Sequence, residues 1–203
     1  WSVLSGVGGS FVSPNSATSV FSGVAGTTYT LQWTISNGVC TASTDDVDIS
    51  LLQSPTASNA GSDQNFCGTG VTLSGNNPAI GTGLWSLAPS NVGTGGSFGD
   101  ATLFNSGFTG TAGQTYILRW TVSNGICTPS TDDVQIRLDQ SPTISAAGSD
   151  QIGALAICGT STTLAANAPT VGTGSWSVLS GLGGSFVSPN SATSVFSGVA
   201  GTT

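Results

Sequence analysis

Residues 28–40 read TYTLQWTISNGVC and residues 115–127 read TYILRWTVSNGIC, a recurrence at an offset of 87 residues that limits the fold more than any other feature. In the first copy Tyr29, Leu31, Trp33 and Ile35 alternate with Thr30, Gln32, Thr34 and Ser36, the period of two that marks a strand with one buried face. Tyr116, Leu118, Trp120 and Val122 repeat that face, so Tyr29, Trp33, Tyr116 and Trp120 are predicted core aromatics. Asn-Gly closes each run and predicts a hairpin, because a type I′ turn needs positive φ at both central positions. The return strands follow: Val47, Ile49 and Leu51 alternate with Asp48 and Ser50, and Val134, Ile136 and Leu138 do the same in the second copy. A hairpin of this size is not stable alone, so the rest of each repeat must supply a sheet that covers the aromatic face.

Composition agrees with an all-β chain. There is no His, Glu, Lys or Met, and the charged residues are nine Asp and two Arg. The straight-chain helix formers are thus nearly absent, while Thr, Val, Ser and Gly suit strands joined by turns. A net charge of −7 with no basic cluster speaks against nucleic acid and anionic membrane surfaces as partners. No apolar run approaches membrane-spanning length, and the chain opens at Trp1 without a charged n-region, so neither membrane insertion nor a signal peptide is expected. The expectation is an interior piece of something longer.

Residues 1–28 reappear at 176–203 with one change, Val7 to Leu182, an offset of 175 residues. Such near-identity exceeds what a shared fold requires, and it predicts a tandem array whose unit is two domains. Ser-Pro-Thr linkers at 54–56 and 141–143 end strands, since Pro removes a ladder donor. They divide the chain into the later strands of one repeat (1–56), a complete repeat (57–143) and the earlier strands of another (144–203). In the complete repeat, strands are predicted at 63–66, 71–74 and 84–87, around Phe98, at 102–104, and at 115–123 and 132–138. Seven short strands separated by turn signals form an immunoglobulin-like sandwich pattern. Cys40, Cys67, Cys127 and Cys158 occupy equivalent places in their repeats, without the Cys-x-x-Cys or His spacing of a metal site. A Cys67–Cys127 disulfide is expected within the complete repeat, with Cys40 and Cys158 paired to residues outside the chain. Closing that loop would stabilise by about 4 kcal/mol and would place the protein outside the cytosol.

Little here suits catalysis. General acid–base work needs two positioned carboxylates, a His or a tuned Lys, and Asp45-Asp46 and Asp132-Asp133 are neighbours whose side chains point to opposite faces of a strand. A Ser nucleophile has no evident base. The chain is therefore not expected to be an enzyme or to hold a cofactor. Asp63, Asp132, Asp133 and Asp150 are the weak candidates for calcium ligation. Trp1, Trp85 and Trp176 alternate with apolar residues like the other two Trp, which favours core over a sugar-stacking platform. The Gly-rich loops at 6–9, 93–96 and 181–184 have no following helix or Lys, which makes them turns and not phosphate cradles.

The ordered motifs are Ala-Gly-Ser-Asp-Gln before Cys (60–67 and 147–158), Gly-Thr-Gly-x-Trp-Ser, Gly-Gly-Ser-Phe, Tyr-x-Leu-x-Trp-Thr-x-Ser-Asn-Gly-x-Cys and Ser-Thr-Asp-Asp-Val. This series resembles the PKD-like and Ig-like tandem repeats of giant Bacteroidota surface proteins, of the type found in the flavobacterial gliding adhesin. The resemblance covers the whole chain. It implies a secreted, cell-surface stalk or filament exported by the type 9 secretion system. The partners expected are neighbouring repeats of the same long chain, and the low charge with abundant Thr and Ser suggests a surface that could also associate laterally with other chains. The alternative expectation is a polysaccharide-binding module repeated in a secreted protein.

Overall fold

A computed structural model describes residues 1–200. Among them there is no α-helix, and the chain is all-β. Residues 1–53 form β1 (Ser2–Ser5), β2 (Ser10–Phe11), β3 (Phe21–Ser22), β4 (Thr27–Ile35) and β5 (Ser43–Leu51). The middle stretch forms β6 (Gln64–Cys67), β7 (Gly70–Thr72), β8 (Thr82–Leu87), β9 (Ser97–Phe98), β10 (Gly107–Thr109), β11 (Gln114–Ser123) and β12 (Ser130–Asp139). The last stretch forms β13 (Ser161–Thr163), β14 (Ser185–Phe186) and β15 (Val195–Ser197), preceded by a single 3-10 turn at Gly153–Leu155. Two units result, residues 1–138 and residues 139 onward.

Both predicted hairpins form. In the first, Tyr29 lies opposite Ile49 and Leu31 opposite Val47. In the second, Tyr116 lies opposite Ile136, Leu118 opposite Val134 and Trp120 opposite Asp132. The middle repeat is a seven-stranded immunoglobulin-like sandwich, with one sheet ordered β6-β12-β11-β8 and the other β7-β10-β9. Between the sheets, Leu73, Trp85 and Phe108 meet Tyr116, Leu118, Trp120, Val122, Val134, Ile136 and Leu138 in one buried cluster. Each such side chain contributes roughly 1.5–3 kcal/mol on burial.

The first segment of the middle repeat runs parallel to β12. Ser58 binds Ser130, Ala60 binds Asp132 and Gln135 binds Asp63, every pair separated by 72 residues. A constant separation is the mark of parallel pairing. It places residue 58 at the start of β12 and Cys67 level with its far end.

Two local expectations change. The hairpin turns are not type I′: among the described residues no non-Gly residue has positive φ, so Asn37 and Asn124 do not take the first such position. Pairing stops instead at Ile35–Ser43 and Val122–Ser130, and the longer loops carry a turn in which Cys40 N–H donates to Asn37 C=O and Cys127 N–H to Asn124 C=O, each at 3.1 Å. Gly38 and Gly125, both at φ 55°, supply the left-handed residue. Second, residues 102–104 form a turn and the strand comes later, at β10. Asp100 accepts from both the N–H (2.9 Å) and the hydroxyl (2.7 Å) of Thr102, and an Asp closing on the residue two ahead competes with a ladder. Residues 177–180 are not a strand, although their copy at the start of the chain, β1, is.

Candidate functional site

The strongest constellation outside the core lies where the middle repeat meets the strands before it. The tip of the β11–β12 hairpin reaches back to the end of β5: Asn124 Nδ2 donates to the Gln53 carbonyl at 2.8 Å, and Cys127 Sγ lies 3.3 Å from the same oxygen. Gly125 fits directly against Leu52, since a Cβ there would come within 2.7 Å of Leu52 Cδ1. The Asn-Gly-Ile-Cys sequence therefore makes a repeat-to-repeat contact and not only a tight turn. Gln53 directly precedes the Ser-Pro-Thr linker, so the hairpin tip packs where the linker departs. The linker's far end is also tied, because Thr56 hydroxyl accepts from Ile80 N–H at 2.8 Å and Thr56 N–H donates to Ile80 C=O at 3.0 Å.

Asn76 fixes the start of the repeat. Its side-chain oxygen accepts from Asn59 N–H (2.8 Å) and its amide donates to Ala57 C=O (2.9 Å). Asn167 does the same for Ala146 and Ile144 in the last repeat, at 2.7 and 3.0 Å. Sequence reasoning missed both. Their signal was an Asn shortly before a Pro at equivalent places in the two repeats, in Gly-Asn-Asn-Pro and Ala-Asn-Ala-Pro.

The aspartates are spread over separate tasks. Asp132 Oδ2 accepts from Ala60 N–H and Asp63 Oδ1 accepts from Gln135 N–H, each at 2.8 Å. Asp133, on the opposite face of β12, holds Arg119 through two parallel bonds of 2.7 and 2.8 Å. The Arg119 guanidinium, through those bonds, lowers the Asp133 carboxyl below its ordinary value, and the same pairing raises Arg119. Asp150 belongs to the other unit. Among the described residues no three His, Cys, Asp or Glu gather into a metal-binding group, so the calcium candidates Asp63, Asp132, Asp133 and Asp150 are not brought together.

Trp85, Phe108, Tyr116 and Trp120 serve the core of the middle repeat. Trp120 is fully buried against Trp85, ring centroids 4.9 Å apart, and its Nε1 donates to Asn76 C=O at 3.2 Å. Trp33 is half-buried beside Trp1 at 5.1 Å. Tyr116 hydroxyl donates to Thr94 C=O at 2.6 Å and accepts from Thr111 N–H at 2.7 Å. Tyr29 repeats this with Val7 C=O at 2.8 Å and Val24 N–H at 2.7 Å. These are the tyrosine corners of immunoglobulin-like domains, in which the hydroxyl ties a neighbouring loop to the last hairpin. Several glycines earn their place through these rings: a Cβ on Gly93 or Gly110 would come within 2.5 or 2.6 Å of Tyr116.

In the second unit an open cleft of about 870 Å³ is lined by Leu164, Trp176, Val178 and Phe196. Leu164, Trp176 and Phe196 are the counterparts of Leu73, Trp85 and Phe108, the side chains that meet the hairpin in the middle repeat. The cleft is thus the hairpin-facing side of a sandwich.

Cys67 and Cys127 are not joined. The parallel register sets Cys67 level with the last residue of β12 while Cys127 precedes its first, and the two ends of that strand are about 30 Å apart at roughly 3.3 Å per residue. A disulfide needs Cα atoms roughly 4.4–6.8 Å apart, so the expected bridge within the repeat cannot form in this fold.

No family model matches the chain, and no curated protein matches it. Among solved structures it is similar to the solution structure of the PKD domain from the KIAA 1837 protein, with 21% sequence identity and a TM-score of 0.36 over 42% of this chain and 87% of that one.

Proposed function

We propose that this chain is a structural segment of a long extracellular adhesin or surface filament, serving as the stalk that holds a binding region away from the cell in attachment or gliding. The observation that carries the reading is the junction: the Asn124 and Cys127 contacts to Gln53 join a repeat to its predecessor across a three-residue linker. Combined with the 175-residue recurrence, that contact gives an array of fixed spacing. A short Pro-containing linker flanked by packed residues makes a semi-rigid rod, and a solenoid-like array draws its stability from each repeat and its neighbours. Asp63 and Asp132 accept from backbone amides and Asp133 from Arg119, and Trp85, Phe108, Tyr116 and Trp120 lie in the core of the middle repeat.

The test uses intact cells of the source organism and an antibody raised against the purified 203-residue chain. Surface labelling that disappears when the cells are treated with an external protease, together with reduced attachment or gliding when antibody is added, is the expected result. Labelling only after the envelope is opened would end the proposal. Lateral association of chains is checked by electron microscopy of the protein released from cells: single filaments at all concentrations would remove it.

A further inference from the structure

The four cysteines fall into two kinds by position. Cys40 and Cys127 sit in hairpin tips, whereas Cys67 and Cys158 each stand two residues after an apolar or polar pair and just before a Gly-Thr that leads into the next strand. The positive φ of the following glycine, 113° at Gly68 and 133° at Gly159, gives both the same turn. In the middle repeat Cys127, at the hairpin tip, and Cys67, the last residue of β6, lie at opposite ends of the sandwich, so neither can serve the other; Cys158 holds the sequence position equivalent to this strand-end cysteine.

Neighbouring repeats supply what a single repeat cannot. The hairpin tip of the middle repeat reaches the end of β5, with Cys127 Sγ 3.3 Å from Gln53 O. By the 87-residue offset, Leu52 and Gln53 correspond to Asp139 and Gln140. Asp139 is the β12 residue level with Cys67 in the parallel register. The strand-end cysteine of a preceding repeat therefore belongs beside position 52, one strand spacing away at about 4.8 Å. The hairpin-tip cysteine of the following repeat arrives at position 53. Two sulfurs from two repeats converge on one junction.

We propose that disulfides staple consecutive repeats together, the strand-end cysteine of each repeat bonding to the hairpin-tip cysteine of the repeat that follows. The 175-residue recurrence sets which kinds meet. A Cys67 would bond to the Cys40 of the next two-repeat unit, and a Cys158 to the Cys127 of the next unit. Each staple forms by thiol–disulfide exchange: two thiols give up two protons and two electrons, one S–S bond forms between them, and a disulfide-bearing oxidant protein of the envelope is reduced to its dithiol. The staple closes each junction in parallel with the Ser-Pro-Thr linker, so a pull along the array would have to break a covalent bond before neighbours could part.

This inference rests on the array reading, and one experiment separates the two. The full-length protein is taken from its native source with thiols blocked at lysis, its mass is measured after reduction, and its non-reduced peptides are mapped. Four cysteine kinds allow three pairings. Cys67 peptides linked to Cys40 peptides, with Cys158 linked to Cys127, is the expected result. Cys67–Cys127 with Cys158–Cys40, which are links within repeats, would overturn the staple, and so would Cys67–Cys158 with Cys40–Cys127 or blocked thiols throughout. A reduced mass no larger than 19.9 kDa would instead overturn the array and the staple with it. A large mass carrying blocked thiols would leave the array standing and remove only the staple.

Discussion

Residues 1–5 and 176–180 both read WSVLS, yet only the first is a strand. There Ser2 lies opposite Gln32 and Val3 opposite Leu31 on β4, and Trp1 packs on Trp33. In the second, the described residues offer no hairpin to pair with, and the same five residues remain irregular, with Trp176 held by Pro189 C=O to its N–H at 2.8 Å and Ser191 C=O to its Nε1 at 2.9 Å. Identical sequence with different structure locates the cause outside the sequence of the segment. The hairpin is the template, and its neighbours become strands only against it. The two hairpins extend the lesson. Val134 and Val122 are 1% and 0% exposed, but their counterparts Val47 and Ile35 are 42% and 61% exposed. In the middle repeat the leading segment, residues 57–76, covers the hairpin, and no described residue lies in the corresponding place over the first.

The sharpest way to break this comparison is at the paired tryptophans. Trp120→Ala removes a fully buried ring, and a cost of about 3–5 kcal/mol is expected. Trp33→Ala removes a half-buried one and should cost less than half as much. Guanidinium unfolding followed by the remaining tryptophan fluorescence measures both, and equal losses would show that the leading segment does not seal the middle core.

Gly83 and Gly174 give the next largest contrast. A Cβ on Gly83 would lie 2.0 Å from Trp120 Cζ2, whereas one on Gly174 meets only Pro169 at 4.0 Å. Gly83→Ala should destabilise by roughly 1–3 kcal/mol through overpacking, and Gly174→Ala should leave the melting temperature unchanged.

The tyrosine corners sharpen the comparison from the other side, because they should not differ. Both hydroxyls bridge a carbonyl and an N–H, and both rings are 0% exposed. Tyr116→Phe and Tyr29→Phe each strand two backbone groups, at about 1–3 kcal/mol. Unequal thermal shifts would mean that the first hairpin's loop contacts are looser than their geometry.

Much of this architecture was legible because period-two alternation reports directly on burial. Tyr116, Leu118, Trp120, Val134, Ile136 and Leu138 were all placed in the core from spacing alone. What alternation cannot report is which of two ends a residue faces. Cys67 and Cys127 were expected to pair because they share a repeat, but only the parallel register of β6 with β12, a long-range fact, sets them apart. Asn-Gly misled for a related reason. Its turn propensity is local, while the task of Asn124 is to reach Gln53 in another repeat. Residues 102–104 carried an apolar pair that suited a strand, and the Asp100 carboxylate two residues before Thr102 decided for a turn. Glycine, counted as turn material, proved at Gly83, Gly93 and Gly110 to be space left for rings.

The smallest expected effect lies on the solvent face of the two hairpins. Arg119 grips Asp133 in the middle repeat, and at the corresponding position Gln32 lies opposite Asp46. The Arg119 bonds hold the Asp133 carboxyl below its ordinary 3.8, so the folded state binds this proton less readily than the unfolded chain. The resulting stability is present above that ordinary value and is lost as pH falls through the lower folded value. Both partners remain about a third exposed, and exposed pairs contribute little, more so in salt. Arg119→Gln makes the middle hairpin copy the first. It should leave the melting temperature at pH 7 nearly unchanged while flattening its decline between pH 4 and pH 2. Asp100, whose carboxyl the Thr102 hydroxyl also holds down, keeps its partner in both proteins and cancels from the difference. An acid limb as steep in Arg119→Gln as in the parent chain would show that the bidentate pair does not contribute to the pH dependence of folding.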